Sequence, residues 1–127
     1  MKTEHVIELL LLAFAIAGAF AFFYHRNQPA IYVVLEIEEI TSAGGNGANA
    51  DGSTAGAATV LRSHNGVYLA GTERITAFDG RAPKRVVIAR FSNAEEARAW
   101  YNSPEEREID EIRLHNTKSR LFTIEGD

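Results

Sequence analysis

The chain contains no cysteine, which excludes disulfides, thiol nucleophiles and cysteine-ligated zinc. Of its four histidines, at positions 5, 25, 64 and 115, no two stand three or four residues apart, so a helical metal-binding pair is excluded as well. Positive charge is nowhere concentrated. Residues 1–30 are electrically neutral, residues 31–66 set Arg62 against Glu36, Glu38, Glu39 and Asp51, and residues 67–127 hold ten basic against eleven acidic side chains, for a net of −4. Nucleic-acid binding and polybasic attachment to lipid both need clustered Lys and Arg, so neither is expected. The run Gly44-Gly45-Asn46-Gly47-Ala48-Asn49 lacks the Lys-Ser/Thr of a phosphate loop and the Asp and apolar residue of a calcium-binding nonapeptide. Residues 43–58 therefore read as a flexible Gly/Ala-rich segment. No metal and no cofactor is expected from the residue pattern. With 127 residues, 46% of them hydrophobic, the chain can build one core and not two.

Apolar length at the N-terminus, by contrast, is abundant. Residues 9–24 (LLLLAFAIAGAFAFFY) are sixteen uncharged positions, and extension back to Val6 gives nineteen with a single Glu8. At about 1.5 Å per residue this just crosses a hydrocarbon core of about 30 Å, and a small domain has no place to bury a helix that is apolar all round. Residues 1–26 are thus expected to be a signal peptide or a transmembrane anchor. The anchor would meet the membrane through residues 6–24, leaving residues 27–127 as a domain outside the cytoplasm. Ala17-Gly18-Ala19 and Ala19-Phe20-Ala21 have the small-x-small form of a cleavage site, with Lys2 as a positive n-region. Glu4, Glu8 and the aromatic Phe22-Phe23-Tyr24 run suit an uncleaved anchor instead. A third reading starts from His5-Val6-Ile7-Glu8-Leu9-Leu10, which resembles the head of a type IV pilin, a structural subunit; Lys2 and Thr3 stand where pilin processing wants glycine.

Beyond Asn27-Gln28-Pro29, residues 30–38 (AIYVVLEIE) alternate with Ile31, Val33, Leu35 and Ile37 on one face and Tyr32, Val34 and Glu36 on the other, the pattern of a central strand. A weak helix is expected over residues 54–63, then a turn at His64-Asn65-Gly66, a strand over 67–70 and its continuation or hairpin partner over 74–78. Residues 85–91 (RVVIARF) read as a second central strand. Ser92 with Glu95 has capping-box spacing, and Ser103-Pro104-Glu105-Glu106 repeats that signal, opening a further helix to about residue 114. Residues 119–125 close the chain as a strand. The order β-α-β-β-α-β predicts an α+β, ferredoxin-like antiparallel sheet with its helices on one face. The other face, carrying Tyr32, Val34 and Val87 or Phe122, would need a partner, and two such sheets would make a homodimer with a closed interior. A small molecule, anionic or aromatic, is expected there.

Tyr68-Leu69-Ala70, Asp79-Gly80, Pro83-Lys84-Arg85, Phe91, Ala97, Trp100-Tyr101-Asn102-Ser103-Pro104, Ile112-Arg113 and Ser119-Arg120 resemble the domain-of-unknown-function 1330 family over about residues 30–126. That family lies within the dimeric α/β-barrel superfamily, so the resemblance implies a ferredoxin-like homodimer with no established reaction. Because the superfamily includes cofactor-independent oxygenases and isomerases, it also implies an alternative in which such a reaction runs in the dimer cavity. Departures accompany the matches: Gly71 replaces the family's Arg, Glu106 its Tyr, and the Gly/Ala segment its first helix.

Candidate acids and bases are Glu36, His64 and Asp79, since a carboxylate or imidazole is needed to move a proton. Candidate ligand-binding residues are Tyr32, Arg90, Trp100, Arg113 and Arg120. Arg90 and Arg120 are cations embedded in apolar strands, fit either to clamp an anion or to pair with Glu36. Trp100 can stack on a ligand or fill the core, Arg113 and Asp79 can brace a loop, and His115 is expected to be partly buried beside Ile109 and Ile112.

Overall fold

The computed structural model of the chain describes residues 2–26, 28–41 and 55–127. Most of the Gly/Ala segment, residues 43–54, lies outside the described residues. Its last four positions form the first turn of the helix expected over residues 54–63. The elements are α1 (Lys2–Arg26), β1 (Ile31–Ile40), α2 (Ala55–Ser63), β2 (Val67–Thr72), β3 (Arg85–Phe91), α3 (Ala94–Tyr101), α4 (Pro104–Asn116) and β4 (Thr117–Glu125). The strands form one antiparallel sheet in the order β2-β3-β1-β4, the ferredoxin-like plan with both β-branched runs at its centre. Over Thr3–Phe23 α1 is apolar enough to cross a membrane, with mean hydropathy 2.5 and its side chains exposed.

The alternation read in β1 is the alternation observed. Ile31, Val33 and Ile37 are buried under the helices, while Tyr32, Val34 and Glu36 face away. Ile31 and Val33 join Leu61 of α2, Ala89 and Phe91 of β3, and Ala97 and Trp100 of α3 in one cluster. At its middle Phe91 is fully buried, its ring centroid 5.5 Å from that of Trp100. Burying a side chain of that size contributes about 1.5–3 kcal/mol. α2 ends where Asn65 takes a left-handed φ of 64°, a conformation Asn tolerates, and the Gly66 N–H donates to the Leu61 carbonyl at 2.9 Å.

Three local expectations are corrected. Residues 74–78 form no strand: the Arg74 N–H donates to Thr72 Oγ1 at 3.0 Å, turning the chain off the ladder, and β2 and β1 already occupy both sides of β3. α3 is capped one residue later than the Ser92/Glu95 spacing suggests. Asn93, extended, accepts from the Glu96 N–H at 2.9 Å; Asn and Ser are equally good caps, and β3 keeps the chain extended past Phe91. Val87 lies on the helix-covered face, because it pairs with inward Leu35.

α4 starts as read, with Pro104 in its first turn and Ser103 as cap. Ser103 Oγ accepts from the Glu106 N–H at 3.3 Å and donates to the Trp100 carbonyl at 2.7 Å. Ser103→Ala removes both bonds at a buried position, so it is expected to cost about 1–2 kcal/mol, measurable as a lower denaturant midpoint at unchanged m-value.

Candidate functional site

The sheet has two faces of different character, and register decides which residues each carries. On the open face, β1 places Tyr32 between Arg90 and Ile124, Val34 between Ile88 and Phe122, and Glu36 between Val86 and Arg120. β2 adds Val67 opposite Arg90, Ala70 opposite Ile88 and Thr72 opposite Val86. An apolar band of Ala70, Ile88, Val34 and Phe122 thus crosses the middle of the sheet, with a charged side chain towards each end.

Arg90 and Arg120 share this face but not a site. Their partners on β1 are four residues apart, a separation of about 13 Å at strand rise, too far for one small anion. Arg120 is also engaged: its Nε donates to Glu36 Oε2 at 2.7 Å and its guanidinium lies 5.5 Å from the Phe122 ring centroid. The hydrogen bond and charge of Glu36 raise the already high pKa of this arginine. Half-buried Arg90 has no hydrogen bond or ion pair among the described residues.

The covered face holds a cleft of about 450 Å3 between α3 and the outer part of the sheet. Its floor is Ile31 and Val33 of β1 with Leu121 and Thr123 of β4; its wall is Ala94, Ala97, Trp100 and Tyr101 of α3; Arg98 and Glu125 supply the charges. α3 places these residues because Ala94, Ala97, Arg98 and Tyr101 recur at helical spacing along one side. Both Arg98 and Glu125 are exposed, and neither is paired among the described residues.

A third grouping escaped the sequence reading. Glu106, Asp110 and Arg113 follow one another at i, i+4 and i+7 along the inward side of α4. Arg113 is buried, donating to Asp110 and to Ser119 Oγ. Glu106 is buried too, and its carboxyl is pushed up from 4.5 to about 7, chiefly by burial and then by the charge of Asp110. Arg113 and the indole N–H of Trp100 pull the other way. The signal was present as three ionisable residues at helical spacing, but the Ser103-Pro104-Glu105-Glu106 run was read for the helix start alone.

The eight candidate residues therefore do not converge. Tyr32, Glu36, Arg90 and Arg120 lie on the open face; Trp100 fills the core and walls the cleft; Arg113 braces α4 against β4. His64 lies half-buried in the turn after α2, and Asp79 is exposed on the loop between β2 and β3. His115, expected partly buried, is exposed.

The family model for a domain of unknown function (DUF1330) matches residues 30–127. No curated protein matches the chain's sequence. Among solved structures, a protein of unknown function from Rhodopseudomonas palustris is similar, with a TM-score of 0.63 at 16% identity over 84% of this chain and 92% of that one. A Bacteroides thetaiotaomicron protein of unknown function, described as a possible oxidoreductase, has a TM-score of 0.57 at 14% identity over 78% and 99%. A dimeric ferredoxin-like protein of unknown function from Thermobifida fusca has a TM-score of 0.50 at 12% identity over 79% and 93%. At these identities the likeness concerns the fold.

Proposed function

This chain belongs to the DUF1330 family, and from that premise we propose that it is a membrane-tethered homodimer that binds a small, largely apolar molecule in the cleft between α3 and the sheet. The observation that carries the binding reading is the cleft itself: concave, floored by Ile31, Val33 and Leu121, walled by two aromatic rings, and bordered by an unpaired arginine. Its volume lies in the range of about 300–1,000 Å3 typical of ligand sites. The open face suits a second copy better than a ligand. Its middle is apolar across four strands, and one of its two arginines is already held by Glu36; the similarity to a dimeric ferredoxin-like protein supports the same use. In this reading residues 1–26 anchor residues 27–127 outside the cytoplasm, and the mass of the mature N-terminus tests it, since cleavage after Ala19 or Ala21 would make the segment a signal and cleavage after Thr3 a pilin-type leader.

The reading stops at binding. Glu36, His64 and Asp79, the acids and bases an oxygenase or isomerase would draw on, do not line the cleft. The test is a thermal-shift screen of aliphatic and aromatic acids on the full chain in lipid nanodiscs. A stabilising ligand is expected to keep its effect in Arg90→Ala and Arg120→Ala and to lose it in Ala94→Phe, which fills the cleft. The reverse pattern would move the ligand to the dimer interior and overturn the proposal.

A further inference from the structure

The position of the cleft relative to α1 narrows the class of ligand. α1 ends at Arg26 and β1 begins at Ile31, five steps along the chain, which span at most about 18 Å however they are folded. Ile31 is itself a floor residue of the cleft. β4 is antiparallel to β1, so its last residues, Thr123 and Glu125, lie at this same end of the sheet, and Ile31 pairs with Glu125. β3 delivers the chain there too, and Ala94 opens α3 directly after it. The end of the cleft formed by Ile31, Ala94 and Glu125 is therefore tied close to where an anchored α1 leaves the membrane. The loop of residues 73–84, with its fully exposed Phe78, projects from the opposite end.

Resting on the reading of the cleft as a ligand site and of α1 as an anchor, we infer that the cleft takes a single-chain amphiphile carrying an acid head, of the fatty-acid class, drawn from the adjoining membrane. The chain would lie along Leu121 and Tyr101, over the edges of Ile31, Val33 and Trp100 that reach the cleft, and bury the apolar surface there. Its carboxylate would meet the exposed guanidinium of Arg98, whose planar fork matches a carboxylate. A cleft of about 450 Å3 has room for one acyl chain. Glu125 at the border disfavours more than one negative charge on the head.

Trp100 is the chain's one tryptophan and walls the cleft, so bromine in contact with it reads out occupancy by fluorescence quenching. The full chain in phosphatidylcholine vesicles is titrated with 9,10-dibromostearate and, separately, with water-soluble 4-bromobenzoate. Saturable quenching by dibromostearate is expected. Arg98→Glu should weaken it about tenfold or more, Arg98→Lys should weaken it less, and Ala94→Phe should abolish it. Quenching by bromobenzoate alone would overturn the amphiphile while leaving the cleft a ligand site. Dibromostearate quenching unaltered by Arg98→Glu or by Ala94→Phe would overturn the inference as well. Quenching by neither probe would overturn the cleft reading itself.

Discussion

Two carboxylates introduced into the middle of the open face, by Ile88→Glu together with Phe122→Glu, are expected to turn the proposed homodimer into a folded monomer. Ile88 pairs with Val34, and Val34 with Phe122, so the substitutions flank the central strand on the apolar band. Phe122 is 38% exposed and Ile124 51% exposed when the protomer stands alone, more apolar surface than a sheet turned to water would carry without a partner. A two-fold interface uses the same patch twice, and the double variant therefore adds four unpaired carboxylates to a face whose own carboxylate, Glu36, is paired with Arg120. Burying unpaired like charges costs several kcal/mol, enough to weaken association by about a thousandfold. In the isolated protomer Phe122 is exposed and Ile88 half-buried on the uncovered face, so the fold itself should lose far less than the association. Crosslinking or single-molecule photobleaching of the full chain in nanodiscs reads the oligomeric state, with circular dichroism confirming the fold. A double variant that remains dimeric and folded would show that this face is not the interface.

The strand arithmetic was open to reading because it is local. Period-two alternation in residues 31–37 and a β-branched run in 85–91 determine two strands whatever surrounds them, and the Ser-Pro-Glu-Glu run sets the start of α4 for the same reason. What was not open to reading depends on distant partners. The cleft exists because α3 lies beside β1 and β4, elements about sixty residues before it and twenty after, and no window of sequence contains all three. Arg90 and Arg120 looked like a pair on composition alone. Register puts them on one face yet about 13 Å apart along the strands and on opposite sides of β1, since each is tied to a different residue of it. Residues 74–78 alternate like a strand, but a strand also needs a free edge and a chain path to it, and the turn at Thr72 leads away. At Gly71 the folded chain likewise limits the side chain: a Cβ there would meet the hydroxyl of Tyr68. An Arg at this position would require that ring to move.

Glu106 is expected to make the protein less stable as pH rises. Its carboxyl ionises at about 7 when folded and at about 4.5 when unfolded, so between these values the folded state binds the additional proton. Stability then falls with rising pH across that window, and the loss is complete above about pH 7. Asp110 deepens the effect and Arg113 limits it, both from α4, while the Trp100 indole N–H on α3 also favours the ionised form. At about 1.4 kcal/mol per tenfold change in ionisation the upper bound is roughly 3 kcal/mol, and partial access of solvent to the carboxyl brings the expected penalty to about 1–2 kcal/mol. Glu106→Gln keeps the shape but cannot ionise. Its melting temperature at pH 8 should therefore exceed that of the parent by about 5–15 °C, and the two curves should converge as pH approaches 4. Carboxylates remote from α4 keep their surroundings in both proteins, so the difference between the curves isolates Glu106 together with its neighbour Asp110. Parallel curves from pH 4 to pH 8 would mean that Glu106 ionises at the same pH folded and unfolded, the attraction of Arg113 cancelling the cost of burial.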